Sequence, residues 1–412
     1  MTVQLLRGAA LLAALSPLAY YLLATYCGWQ YFRKRRSLPP LDPSFTPPVS
    51  VLKPVRGLDR EGYENFASFC RLDYPEYELL FAVSDADDPV IPLIEKLRRD
   101  FPQRSIRLLT DVPSLGANPK VNNLCKLVQE AKHDLLVIAD SDVRVEPGYL
   151  REVAAHFADP RVGAVTAFFR GLTPGGMAAE LEGLALSTET VPNALVAQQM
   201  EGKIQFAFGW TMATTKQCLK AIGGFEAIVN YHSDDFELGN RIAAHGFRIE
   251  LTRQPVWMVF PRETIGEYLR HEMRWSIGLR NVRPAGYIGL ALTFGLPWAV
   301  LAAAVAPSAG IAAAYLLAYL ALRLTQVWTS GAWGLDDPVT RKSLWLVPLR
   351  DAVSFVVWVA GFFSDKVTWR GRQYRVKRGL LVPLTQAAGT GRKDQRDGSG
   401  DAPARTPRSG PE

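Results

Sequence analysis

Residues 3–26 (VQLLRGAALLAALSPLAYYLLATY) form an apolar run long enough to cross a bilayer, which takes roughly 20 such residues. In hydrocarbon the backbone must satisfy its own hydrogen bonds, so this run is expected to be helical. Arg7 sits near one end, where its side chain can snorkel, and Arg33-Lys34-Arg35-Arg36 follows the other. The positive-inside rule then puts residue 33 onward in the cytoplasm. A cleaved signal peptide would carry its positive charge on the opposite flank, and no small-residue cleavage site precedes Cys27, so the run reads as an anchor.

Comparable runs recur near the other end, at about 285–306 and 309–329 by the length criterion. A last one, 344–363, is interrupted by Arg350 and Asp351. Charge at bilayer depth is costly, so residues 352–363 are expected to form a re-entrant or interfacial piece. That arrangement keeps Lys366, Arg370, Arg372, Arg375, Lys377 and Arg378 in the cytoplasm, whereas a full third span would place them outside. The resulting plan is an anchor (1–30), a basic, proline-rich linker (31–48), a globular unit (49–263) and an amphipathic helix (264–283). A transmembrane or re-entrant region (284–365), a basic segment (366–385) and a disordered tail (386–412) complete it.

The chain has 412 residues, which allows a real core without disulfides. Cys27, Cys70, Cys125 and Cys218 are widely spaced, form no C-x-x-C, and read as buried thiols of a reduced, cytosol-facing protein. The net charge of +7 lies mostly beside the apolar segments and in the tail, which suits an anionic membrane surface. No basic stripe interleaved with aromatics and no nucleic-acid motif is present, so a nucleic-acid partner is not expected.

The middle of the chain alternates short β-forming runs (49–54, 77–84, 106–109, 134–139) with segments of helical spacing (61–71, 90–100, 121–131). This is the pattern of a parallel sheet with right-handed crossovers. Residues 162–169 add an apolar run, and 206–213 reads as a buried strand. Between them, 174–200 is mostly helical with weak amphipathicity, which fits either a buried helix of the domain or one resting in the lipid interface, the latter being expected.

Chemistry gathers at the strand ends. The run Leu135–Ala139 finishes in Asp140-Ser141-Asp142, where ligands of a parallel sheet collect. Side chains two residues apart can point the same way and share one hard cation, although a solvated loop would also carry two acids. Asp85 follows the second strand, placed either to bind a base or ribose or to make an Asx turn. Lys120 lies in the first turn of a helix, unfavourable for a cation unless an anion is near, and so hints at phosphate. Asp234-Asp235 precedes another helix; capping explains one acid, and the second suits a general base. In residues 264–280, Arg270 shares a face with Arg274 and His271 with Trp275, fit either to cover a diphosphate and a headgroup or to snorkel.

In order along the chain, these pieces resemble the inverting GT-A glycosyltransferases of the family-2 type. They resemble more closely the ceramide glucosyltransferase family, whose bacterial relatives include hopanoid glycosyltransferases. The resemblance covers about 49–380 and rests on Val51-Leu52-Lys53-Pro54 with Gly57, Asp85-x-Asp87-Asp88-Pro89, and Gly116-x-Asn118-Pro119-Lys120-x-Asn122-Asn123-Leu124. The Asp140 loop, the Asp235 segment, Arg274-Trp275 and Trp369-Arg370-Gly371-Arg372-x-Tyr374-Arg375 complete it. It implies an α/β GT-A fold, Rossmann-like with a mostly parallel sheet, between N- and C-terminal transmembrane helices of an integral protein of the bacterial inner membrane or its equivalent. It implies that Asp85 binds the nucleotide, with Lys120 and Arg270 also on the donor, and that Asp140 and Asp142 face the diphosphate and its Mg²⁺ or Mn²⁺. Asp235 would deprotonate the acceptor, and Arg274 and Trp275 would fall on the family's (Q/R)-x-x-R-W motif. The first position of that motif is His271 here, a departure for which Arg270 is the candidate substitute.

The expected reaction moves a sugar such as glucose from a nucleotide sugar, expected to be UDP-linked, to a lipid hydroxyl. Ceramide is the expected acceptor, and N-acetylglucosamine transfer to a hopanoid is the alternative. A processive polysaccharide synthase would need more spans. A non-enzymatic sugar-nucleotide-binding or transporter subunit would leave the ordered acids unexplained.

Overall fold

The computed structural model describes residues 2–39, 42, 44–369 and 371–384. Arg370, part of the proline-rich linker and the tail expected to be disordered lie outside the described residues. Helices α1 (Thr2–Ala13) and α2 (Ser16–Ser37) make one apolar rod. At its basic end Arg33 lies over the Trp29 ring and Arg36 over Trp333. This keeps their stems on apolar surface and their charges at its edge.

The globular unit is a doubly wound α/β layer. Strands β1 (Val49–Pro54), β2 (Tyr77–Ala82), β3 (Ser105–Leu109) and β4 (Leu135–Ala139) pair in parallel. Helices α3 (Gly62–Cys70), α4 (Ile91–Asp100) and α5 (Pro119–Glu130) make the crossovers. β1, β2 and β4 are buried along their whole length, as apolar runs covered on both faces must be. The chain then forms β5 (Val143–Arg144), α6 (Tyr149–His156), β6 (Val162–Thr166) and β7 (Phe169–Leu172), followed by α7 (Met177–Ala185) and α8 (Val191–Glu201). β8 (Thr211–Thr215), α9 (Lys216–Ala221), α10 (Asp234–Ala244), β9 (Arg248–Leu251) and β10 (Val256–Val259) complete the unit. The seven-stranded order is β3-β2-β1-β4-β8-β6-β9, with β8 antiparallel to both neighbours and every other pair parallel. The sheet is therefore mostly parallel, as expected. All four cysteines are free and buried.

Three expectations are corrected. The strand placed at 206–213 is β8, Thr211–Thr215, while Phe206, Phe208 and Trp210 form a ladder of ring contacts outside the sheet. The helical stretch expected in the lipid interface is enclosed by protein. The last five residues of α7, Leu181, Glu182, Gly183, Leu184 and Ala185, are all buried, and α8 packs on α2. Finally, the helix does not break at Arg350 and Asp351.

After the globular unit come α11 (Ile265–Val282), α12 (Pro284–Gly289), α13 (Gly295–Val305) and α14 (Ala309–Val327). Then follow α15 (Pro338–Ser343) and α16 (Val347–Gly361), which runs through Arg350 and Asp351 without interruption. Both charges are buried and paired: Arg350 with Glu272 and Glu189, Asp351 with Arg323. Protein contacts, not lipid, surround them, which removes the reason for a break. Among the described residues four helical stretches are long and apolar enough to cross a membrane: Thr2–Ser37, Pro284–Val305, Ala309–Leu335 and Pro338–Gly361. The basic segment folds into a small antiparallel sheet, β11 (Lys366–Trp369), β12 (Arg372–Lys377) and β13 (Leu380–Pro383), which joins the globular unit through a Tyr231–Leu380 bridge.

Candidate active site

The carboxyl end of β4 is held by two lysines. Lys53 of β1 is fully buried, lies 3.7 Å from the centre of the Phe69 ring and donates to the Asp140 carbonyl at 2.9 Å. Burial pulls its ammonium down to about 7, partly opposed by Asp140 and Asp142. Lys120 reaches the Asp140 carboxylate at 2.7 Å and the Gly209 carbonyl at 3.0 Å. The anion that its helix-start position called for is thus already present as Asp140, with Asp234 at 3.7 Å. Those carboxylates hold its pKa above the ordinary lysine value despite burial.

The asparagine-rich loop builds this corner. Asn118 caps α5 by accepting from the Val121 amide and donates to the Tyr231 carbonyl and to Asp234. Asn122 accepts from the Leu115 and Gly116 amides, and Asn123 donates to the Ala82 carbonyl and accepts from the Ser84 hydroxyl. Gly116 has no alternative: a Cβ there would sit 2.6 Å from the Val229 side chain. The β2 end is therefore tied to α5, and Asp85 just beyond it is exposed and accepts from the Asp87 amide in an Asx turn. Asp88, in contrast, is buried and accepts from the Gly57 and Val90 amides, which gives it a structural part.

Asp234 and Asp235 begin α10 after the N-cap Ser233. Burial, with help from the neighbouring Asp234, raises Asp235 to about 6. Its Oδ1 accepts from the Phe236 amide at 2.8 Å, and its Oδ2 packs so closely on Gly209 that a Cβ there would lie 2.9 Å away.

Helix α11 opens with a capping box between Thr264 and Glu267. Arg274 lies 5.8 Å from the centre of the Trp369 ring in the small C-terminal sheet, which is how that distant motif reaches the site. His271 stacks edge-on against Trp275, with ring centres 5.0 Å apart, and its Nδ1 contacts the Glu182 carboxylate. Glu182 in turn shares a hydrogen bond with Glu263, whose carboxyl is pushed up to about 8 by burial and by that partner. Arg270 is exposed at the rim.

One cavity of about 1660 Å³ is lined by Asp85, Lys120, Asp140, Asp142 and Asp235, and also by Arg270, Arg274 and Trp275. All eight candidate residues therefore meet, although they come from five separate segments. The same cavity continues to residues of α2, α13 and α16 among the apolar helices.

The glycosyl transferase family 21 model matches residues 9–382. The chain belongs to that family. Ceramide glucosyltransferase 3 of Caenorhabditis elegans is 25% identical over 233 residues, 56% of this chain and 50% of that protein. A ceramide glucosyltransferase of Komagataella phaffii is 36% identical over 153 residues, 35% of this chain and 30% of that protein. This family-21 chain thus matches half or less of the length of these relatives. A solved mannosyltransferase of Pyrobaculum calidifontis, in complex with GDP-Man and Mn²⁺, shares the GT-A fold at 18% identity and a TM-score of 0.50, covering 86% of this chain and 99% of that one.

Glu182, Glu189 and Glu263 of this family-21 site were not singled out from the sequence. The available signal was an acid inside a weakly amphipathic apolar helix, with Glu182 and Glu189 seven residues apart and so on one face.

Proposed function

We propose that this family-21 protein is a membrane-bound inverting glycosyltransferase that moves a sugar from a nucleotide sugar, UDP-linked, to a lipid hydroxyl in the manner of a ceramide glucosyltransferase. The observation that carries this reading is that one cavity is lined both by Asp85, Asp140 and Asp235 and by residues of the apolar helices α2, α13 and α16.

The nucleotide lies by Asp85 and the diphosphate by Asp140, Lys120 and Arg274, whose cations meet the negative charge that grows on the leaving group. Asp140 and Asp142 offer hard oxygen donors. Among the described residues no cluster of three or more His, Cys, Asp or Glu stands ready to hold a metal by itself. This donor set fits Mg²⁺ or Mn²⁺, which Asp140 and Asp142 would hold. When bound, the ion supplies charge neutralisation at the diphosphate. Asp235 accepts the proton of the acceptor hydroxyl as that oxygen bonds to the anomeric carbon. The bond from that carbon to the diphosphate oxygen breaks on the opposite face, which inverts the centre. Trp275 walls the sugar, and His271, oriented by Glu182, occupies the motif position where the family carries Gln or Arg.

The membrane seating follows from α16. It ends the continuous helical stretch Pro338–Gly361, which is long enough to cross a membrane, so the contacts at its ends and not its length carry this reading. It runs beside α11, with Arg350 on Tyr268 and Glu272 at one end and Arg280 on the Gly361 carbonyl at the other. The chain on either side of it returns to the globular unit, through Asp337 accepting from the Gly171 amide and Gly379 accepting from the His232 amide. In this reading a segment tied to one domain at both ends lies along the interface rather than across it, where the exposed Val356 and Phe363 would meet lipid. The globular unit and the basic sheet are then both cytoplasmic.

Mass spectrometry of lipids from a host expressing the protein tests the reading. A new hexosylated lipid that appears with the wild type and not with Asp235→Asn supports it; an unchanged lipid profile in both rejects it.

A further inference from the structure

Beyond Asp235 the cavity enters the apolar helices, and one stretch of its wall is polar. Between α7 and α8 the helix widens into a π turn at Leu186–Thr190, a distortion common at functional sites. From that turn Glu189, Asn193 and Ala197 follow at four-residue intervals, so one helix face turns toward the cavity, and all three line it. The wall also carries Phe294, Pro297, Val357 and Trp358, with the Phe294 and Trp358 rings 5.3 Å apart. The Ser354 hydroxyl, one turn before Trp358, donates to Glu189 and so brings α16 against this face.

The charges here have unequal access. Arg350 lies 3.0 Å from Glu189 and 2.8 Å from Glu272, and Arg323 binds Asp351. Two guanidiniums thus face three carboxylates. Arg350 is 1% exposed and the Glu189 side chain 35% exposed; both line the cavity, and the carboxylate is the more open of the pair. Asn193 Oδ1 accepts from the Tyr20 hydroxyl, and its Nδ2 hydrogens have no protein acceptor among the described residues. An acid and an amide at this depth, beside a cavity and not lipid, are unusual unless something polar binds there.

We propose that this branch reads the acceptor's headgroup: Asn193 donates to a carbonyl of a neutral lipid, and Glu189 accepts from its hydroxyl or amide N–H groups while repelling anionic phospholipid. Ala197, with no more than a methyl, leaves room for the acyl chain along the aromatic wall. The proposal deepens the lipid-acceptor reading above and rests on it for the identity of the ligand.

The test is equilibrium binding to the full chain in detergent, without donor, using N-hexanoyl-sphingosine and 1,2-dihexanoyl-phosphatidic acid as probes. The wild type is expected to favour the neutral probe by at least about tenfold, the effect of one well-placed charge contact. Asn193→Leu should weaken the neutral probe by about tenfold, and Ala197→Phe, which fills the slot without touching a hydrogen bond, by at least as much. Glu189→Gln should shrink the preference to about threefold or less. Equal binding of both probes to the wild type overturns the proposal. So does wild-type affinity in Ala197→Phe, the variant that decides if Asn193→Leu does not fold. Because binding is read without sugar transfer, an inactive wild type that still discriminates the probes would reject the transferase reading and leave this site standing.

Discussion

The protein holds two clusters of paired charge, and they are built to opposite rules. At the strand ends, Lys120 pairs with Asp140 and Asp234, and these residues and Asp235 line a large cavity. Among the apolar helices, Arg323 is locked to Asp351, with Tyr319, the Thr188 carbonyl and Gln326 satisfying what remains. The first cluster leaves an acid, the proposed base Asp235, whose proton affinity is raised to about 6. The second leaves no acceptor idle and holds the helices in register. Both clusters are buried, paired and beside the same cavity; what separates them is that every polar atom of Arg323 and Asp351 has a fixed partner, whereas Asp234 keeps an oxygen without a hydrogen bond.

The largest effect should come from breaking the locked cluster. Asp351→Asn strands Arg323 in the interior and is expected to lower stability by about 3–5 kcal/mol, visible as a lower Tm or loss of folded protein. A melting curve like the wild type's would mean that the helices do not depend on the pair. Gly209→Ala should do the reverse. Its new Cβ would press on the Asp235 carboxylate, the movable end of a side chain, so folding is kept while the base is displaced. A displacement of this kind costs about 10–100-fold in kcat. A kcat unchanged in that variant would separate Asp235 from the reaction.

The smallest change is the finest test of the open cluster. In its proposed role Asp235 works deprotonated, so activity should fall as pH drops through about 6 and level off above it. Burial is the main cause of the raised value and Asp234 the next, so Asp234→Asn should move the acid limb of the kcat profile to lower pH. A limb that stays in place would assign it to another group, such as the Glu182–Glu263 pair, whose carboxyls are also raised.

Much of this was legible in the sequence because it is local. A buried parallel strand announces itself as an apolar run, and the acids at its carboxyl end fall where ligands gather. Asp85, Asp140 and Asp235 could therefore be found one segment at a time. What escaped depends on partners far along the chain. Arg350 and Asp351 looked like a break only because Glu272 and Arg323, which accommodate them, are distant in sequence. Lys120 hinted at phosphate because its carboxylate partners lie in two other segments. His271 was a departure from a motif until Glu182, on another helix, gave it a partner. The aromatic run at 206–210 had the composition of a strand, but its rings pack on one another and leave the pairing to Thr211–Thr215.

The direct test is sugar transfer by Asp235→Asn measured beside donor binding in the same purified protein. Radiolabelled UDP-glucose, N-hexanoyl-sphingosine and Mg²⁺ or Mn²⁺ would supply the reaction, and equilibrium dialysis the donor affinity. The prediction is a fall in lipid-linked label of about 10²–10⁴-fold, the usual worth of a general base, with donor affinity within about threefold of the wild type. Transfer at the wild-type rate in that variant would contradict the account.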